Sequence, residues 1–300
     1  MLYLRKPERN TAFFYYYWQQ PFQKEVCLNK HSPILCSIAT LRYFRPNIPI
    51  YVVDGSEKAS NWGEFISQFK LNILHQPDHF FKKFATHEQE VHQQLLSKPF
   101  EVYLAAQSVS QERIVVSDSD IFWVKDPLPL ENSTTEFSMD GHNSGFWYYH
   151  KKDTKFIGLW LSLMCYAMIC PEIAQLILKQ SSGTGSVPYL LEENVVRLLC
   201  KMTTGYNEIS HKENHLSGFY DGKFFRNRRH PPKDIKNIHV MGAWGYESRL
   251  ENIKRIKELS KIFDVMFTEE QKRKIFGDED VETFSYRNIA EMKKLFVKKG

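Results

Sequence analysis

No CxxC pair, no low-complexity linker and no repeat at a period of roughly 20–50 residues occurs in this chain. The last two absences argue against a bead-like domain string and a solenoid. No apolar run reaches the about 20 residues that a membrane helix needs. The longest, Phe156 to Cys170, includes Gly158 and Ser162 and stops at Pro171, so it is expected as a buried helix. The first ten residues, MLYLRKPERN, lack the apolar core of an export signal. Five cysteines (Cys27, Cys36, Cys165, Cys170, Cys200) sit among apolar neighbours, and their odd number reads as reduced, packed thiols. A reducing, cytoplasmic setting is the expectation. The net charge of +5 is too small to indicate nucleic acid, and no nucleic-acid partner is expected. It suits small anionic ligands. Ordinary shares of hydrophobic (42%) and charged (25%) residues exclude a disordered, collagen-like or coiled-coil chain.

What is abundant is aromatic: 22 Phe, 15 Tyr and 6 Trp. Such an excess fits a carbohydrate-handling cleft and a ring-filled core equally well. Hydrophobic periodicity alternates in the first half. Strands are expected at Phe13 to Trp18, Pro49 to Val53, Asn72 to Leu74 and Ile114 to Val116, with helices from Ser32-Pro33 to Phe44, Glu64 to Phe69 and His87 to Ser108, the last interrupted near Pro99. That order predicts an α/β fold with a parallel sheet flanked by helices on both faces. Further on, a strand is expected at Phe146 to His150, helices at Asp153 to Ile169 and Tyr189 to Lys201, loop over most of Gly205 to Pro232, and a strand at Ile238 to Val240. From Leu250 the spacing of Ile253, Ile256, Leu259 and Phe263 marks an amphipathic helix. The expected division is therefore a main α/β domain over 1–245 and a helical C-terminal extension over 246–300. The charges of that extension are nearly balanced, which suits a salt-bridged face, with peripheral membrane contact as the alternative.

In open α/β sheets ligands sit beyond the carboxyl ends of strands, which directs attention to Asp54 after Val53 and to Ser117-Asp118-Ser119-Asp120 after Val116. Two acids two positions apart can share a hard divalent cation. The same pair serves equally well as backbone caps in a turn. His239, in the late apolar strand with Gly242 and Gly245 behind it, reads either as a metal ligand or as a satisfied core histidine. Sugar hydroxyls call for convergent carboxylates and amides, and Asp140, Asn143, Glu192, Glu193 and Asn194 qualify. Glu192-Glu193 also reads as an acidic start to a helix. The six basic residues Lys223, Arg226, Arg228, Arg229, Lys233 and Lys236 form either a lid over phosphates or a solvated loop.

IVVSDSDIFWVKDPLPL, from Ile114 to Leu130, resembles the core of GT-A nucleotide-diphospho-sugar glycosyltransferases, with their DxD motif and the following "DP" turn at Asp126-Pro127. Three later segments resemble the family that includes plant rhamnogalacturonan xylosyltransferases. They are HNSGFWYYHKKDTKFIGLW (142–160), EENVVRLL (192–199), with Glu193-Asn194 in place of the family's Asp-Gln, and IHVMGAWG (238–245), similar to its His-x-x-Gly. The resemblance implies a GT-A, Rossmann-like α/β fold with a mixed, mainly parallel sheet flanked by helices, and transfer of a hexose such as galactose or glucose, or of xylose, from a UDP-sugar to a hydroxyl of a glycan acceptor. It places Asp118, Asp120 and His239 on Mn²⁺ or Mg²⁺, the imidazole favouring manganese, and Asp118 also near the donor ribose. It puts the nucleobase beside Tyr15 or Tyr16 and Asp54, and the sugar near Asn143 and Asn194. Retention is implied. Inversion would need a base, for which Asp140, Glu192 and Glu193 are the candidates. A sugar nucleotidyltransferase would need a Gly-rich loop after the first strand, and QQPFQKEV (19–26) has no glycine. A silent glycan-binding module would predict a broken DxD or a missing histidine, yet both are intact. The rings of 146–149 and Trp244 are the expected acceptor platform.

Overall fold

A computed structural model describes residues 10–17, 33–56, 59–76, 93–131, 137–140, 143–181, 192–210, 213–220, 223–224, 235–241 and 268–276. The first half alternates as expected: β1 (Thr11–Tyr17), α1 (Pro33–Phe44), β2 (Ile50–Asp54), α2 (Phe65–Phe69), β3 (Leu71–His75), α3 (Gln93–Gln107) and β4 (Arg113–Ser117). There follow β5 (Ile121–Trp123), β6 (Phe137–Asp140), β7 (Asn143–His150), α4 (Lys155–Ile169), α5 (Pro171–Ser181), α6 (Glu192–Met202), β8 (Asn207–Glu208), β9 (His215–Tyr220), β10 (Lys223–Phe224), β11 (Asn237–Met241) and α7 (Glu269–Phe276).

Seven strands form one sheet in the order β3-β2-β1-β4-β7-β6-β8. The β3-β2-β1-β4 portion is parallel, and β7 runs antiparallel to both β4 and β6. A second sheet, β10-β9-β11-β5, stands beside it. The sheet is mixed and mainly apolar because each central strand is covered on both faces. Alternate residues of β1 divide between two cores: Phe14 and Tyr16 with Trp147, Tyr149 and the apolar sides of α3, α4 and α6, and Phe13 and Tyr15 with Phe146, Tyr148 and α1. Part of the aromatic excess of the composition thus lies on the sheet, in β1 and β7 above all. Phe137, for example, stacks on Phe156 at 4.6 Å between ring centres.

Several expectations change. Pro99 lies inside α3 without ending it. Pro171 opens α5, an element absent from the sequence reading, because proline suits the first turn of a helix, where the amide needs no partner. The stretch expected as loop contains β8, β9 and β10. The apolar run 156–170 is only half covered: Phe156, Ile157, Trp160 and Met164 are buried, while Leu159, Tyr166 and Ile169 are more than half exposed. No described helix is long and apolar enough to cross a membrane. Of the expected extension 246–300 only α7 is described, and it packs against α1. Trp244, Gly242, Gly245 and the middle of the basic 223–236 stretch lie outside the described residues.

Candidate active site

The site assembles where β4, β7 and β11 meet. Asp118 follows β4 directly, and its backbone amide donates to the Gly145 carbonyl at 2.7 Å, extending the β4–β7 pairing by one bond. The chain then turns, with the Ile121 amide returning to the Asp118 carbonyl, and enters β5. Antiparallel pairing of β5 with β11 sets Ile121 opposite His239, so the histidine arrives next to Asp120 although 119 residues of chain separate the two. Nε2 of His239 lies 3.2 Å from Asp120 Oδ1. One potential ligand atom from each of Asp118, Asp120 and His239 lies within 4.8 Å of the others.

Gly145 forms the floor. A Cβ at that position would stand 2.3 Å from His239 Cε1, 2.6 Å from Asn143 Oδ1 and 2.9 Å from Asp118 Oδ2. Only glycine permits this convergence, which gives the Asn-Ser-Gly motif a steric reason. Asn143 Oδ1 accepts from the Gly145 amide at 2.7 Å, and its Nδ2 donates to Glu193 Oε1 at 3.0 Å. Ser144 Oγ donates to Glu192 Oε1 at 2.9 Å.

Lys98 on α3 is the site residue that sequence reasoning missed. Its ammonium is buried and lies 3.0 Å from Asp118 Oδ1, 3.2 Å from Glu192 Oε1 and 3.3 Å from the Ser144 carbonyl. Burial works against its charge, but Asp118 and Glu192 outweigh burial and hold its pKa above the ordinary lysine value. A lysine in the run Ser-Lys-Pro-Phe-Glu reads as solvated, and its partners lie 20 and 94 residues away.

Electrostatics elsewhere follow from crowded carboxylates. Burial, joined by the charge of Glu192, pushes Glu193 up to about 7. For His239 burial alone would lower the pKa, yet Asp120 and then Asp118 and Glu193 raise it. Among the polar atoms of Lys98, Asp118, Asp120, Asn143, Ser144, Glu192, Glu193 and His239, two are buried without a hydrogen-bond partner, His239 Nδ1 and Glu192 Oε2. Unpaired buried polar atoms are costly, and their presence beside a carboxylate pair and a glycine floor fits a site that completes its bonding with ligands.

Other expected site residues have different surroundings. Tyr15 is fully buried in the core against α1 and within 3.2 Å of the Ser37 hydroxyl, so it offers no ring face to a base. Tyr16 is slightly exposed, and its pKa is raised well above the usual phenol value by burial and by Glu101, its hydrogen-bond partner. Asp54 is fully buried and accepts from the Ser56 and Ser60 amides and from Trp62 Nε1, at 2.9–3.0 Å. Its carboxylate shapes the loop after β2. Asn194 donates to Ser181 Oγ at 3.2 Å, tying α6 to the end of α5. Asp140 ends β6 in register with Asn143, and its side chain lies outside the described atoms. The rings of Phe146, Trp147, Tyr148 and Tyr149 are buried in the two cores, which removes them as an acceptor platform.

No protein-family model and no curated sequence matches the chain. Solved structures do. The bifunctional glycosyltransferase WbbM is 11% identical over 92% of this chain and 51% of its own, with a TM-score of 0.50; the chain spans about half its length. Galactosyltransferase LgtC, solved with donor and acceptor sugar analogues, is 12% identical over 88% of this chain and 99% of its own, TM-score 0.47. Mouse xyloside xylosyltransferase 1 is 12% identical over 76% and 96%, TM-score 0.45. At such identities the likeness concerns the fold, and the fold is the GT-A arrangement of a mixed, mainly parallel seven-stranded sheet flanked by helices.

Proposed function

We propose that this chain is a metal-dependent glycosyltransferase that moves a sugar from a UDP-sugar to a hydroxyl of a glycan. The observation that carries the reading is the convergence of Asp118, Asp120 and His239 over Gly145, with ligand atoms within 4.8 Å of one another at the carboxyl end of the sheet. Two carboxylates and one imidazole fit a divalent cation of the manganese type. When bound, such a cation supplies Lewis-acid neutralisation of the departing diphosphate.

The chain's own residues do the rest. Asp118 is oriented by Lys98, which also neutralises Glu192 and keeps the acidic cluster from repelling a diphosphate outright. Glu192, with one oxygen buried and unpaired, and Asn143 are suited to receive sugar hydroxyls. Tyr16 and the loop shaped by Asp54 border the nucleobase side. In the transfer, the bond from the anomeric carbon to the diphosphate oxygen breaks, the bond to the acceptor oxygen forms, and the acceptor proton passes to the departing phosphate. The product is then retained in configuration. Glu193 supports a second reading: a carboxylate whose pKa is pushed up to about 7 is matched to general-base work near neutral pH and would serve inversion, with Asp140 and Glu192 as the other candidate bases. The free thiols of Cys36, Cys165, Cys170 and Cys200 suit a reducing, cytoplasmic setting.

Incubating the protein with UDP-, GDP- and CMP-sugars and Mn²⁺, and following nucleotide release, tests the function. Metal-dependent release from a UDP-sugar is expected, with Asp120→Asn losing about a thousandfold while remaining folded. Undiminished release by that variant in chelator would overturn the reading. The anomeric proton of the product, seen by NMR, separates retention from inversion.

A further inference from the structure

The outer face of α4 departs from an ordinary surface helix. Between Lys155 and Glu172 no residue is charged, and Leu159 (52%), Tyr166 (62%) and Ile169 (54%) are exposed. With the exposed Ser162, these side chains are spaced 3, 4 and 3 residues apart, the alternation of a helix seam that packs on another helix. An isolated exposed leucine needs no explanation, but a charge-free seam from Leu159 to Ile169 does.

We infer that this face pairs with the same face of a second copy of the chain, the two α4 helices running antiparallel across a twofold axis. The seam is complementary to itself when the axis passes level with Met164. Leu159 and Ile169 lie five residues on either side of that level, so each meets the other across the axis. Ser162 and Tyr166 lie two residues on either side, so the large exposed ring covers the small side chain. The ends match in charge as well. Lys155, at the amino end, is brought beside Glu172 of the second copy, just past the carboxyl end, and this happens twice by symmetry. Glu172 is held at that end by Cys170, whose thiol donates to its carboxylate at 3.0 Å. A lipid surface would not need this pairing of opposite charges, and it would meet Glu172 unfavourably.

Sedimentation of the full chain over a range of concentrations tests the inference. The wild type is expected to show a monomer–dimer equilibrium with a dissociation constant in roughly the micromolar range, as suits a small interface. Tyr166→Glu is expected to raise that constant by about tenfold or more at unchanged melting temperature. Glu172→Lys alone weakens the dimer, and combining it with Lys155→Glu restores it. A wild type that stays monomeric at about 100 times that concentration overturns the inference. So does a dimer insensitive to Tyr166→Glu, which would use another surface, and so does a monomer that binds anionic phosphatidylserine vesicles through Tyr166.

Discussion

The active-site end of the sheet and the outer face of α4 invert the usual partition of residues in opposite senses. At the first, charge is buried: Lys98, Glu192 and His239 are almost wholly enclosed. At the second, hydrocarbon is exposed over three turns of helix. The buried charges are balanced by pairing, Lys98 against Asp118 and Glu192, with two polar atoms left open. On the outer face of α4, Leu159, Tyr166 and Ile169 keep more than half of their surface exposed. Both are incomplete surfaces, one completed by a polar ligand and the other by apolar contact. The difference lies in the energetic consequence: an unpaired buried charge costs several kcal/mol, whereas a few exposed leucines cost a folded monomer almost nothing.

Removing the ammonium attacks the first region most severely. Lys98→Met leaves two neighbouring carboxylates without their cation, and a loss of about 3–5 kcal/mol is expected in chemical denaturation of the metal-free protein. A loss below about 1 kcal/mol would mean that the cluster is not electrostatically strained, and the contrast between the regions would fail. Gly145→Ala comes next. Its Cβ must displace His239, Asn143 or Asp118, so a destabilisation of about 1–3 kcal/mol is expected together with weakened Mn²⁺ binding in calorimetry. Unchanged Mn²⁺ affinity would show that the glycine floor is not part of the site.

Glu193→Gln sharpens the comparison through pH. Because folding raises this carboxyl from its ordinary value to about 7, the folded protein binds the proton more tightly than the unfolded chain, and stability falls as pH rises through that window. Glutamine keeps an acceptor for Asn143 without the charge. Relative to wild type, the variant should therefore gain about 1 kcal/mol more at pH 8 than at pH 5, read from melting curves, the gain being limited by the side chain's partial exposure. Equal differences at both pH values would refute the assignment. The smallest effect belongs to the apolar face: Leu159→Lys in dilute protein should change stability by less than about 0.5 kcal/mol. A larger loss there would show that the face is already covered within the chain.

Much of the frame was legible because strand and helix periods differ locally. β1, α1, β2, β4 and the late strand of His239 could be read from spacing alone, as could the Asp118-Ser119-Asp120 motif. Elements whose identity depends on partners were not. The two-residue β8 and β10 exist only by pairing with β6 and β9, and α5 hid behind a proline that opens a helix as readily as it ends one.

The sequence by itself therefore determined the alternation of strands and helices and the presence of two acids at a strand end, since these depend on neighbours a few residues apart. Tertiary structure decided which polar residues share a site and which apolar residues stay outside. Lys98 became a site residue, Asp54 a loop anchor and Tyr15 core through contacts between chain segments distant in sequence, and the outer face of α4 was left bare because nothing in a periodic pattern encodes what covers a helix's second side.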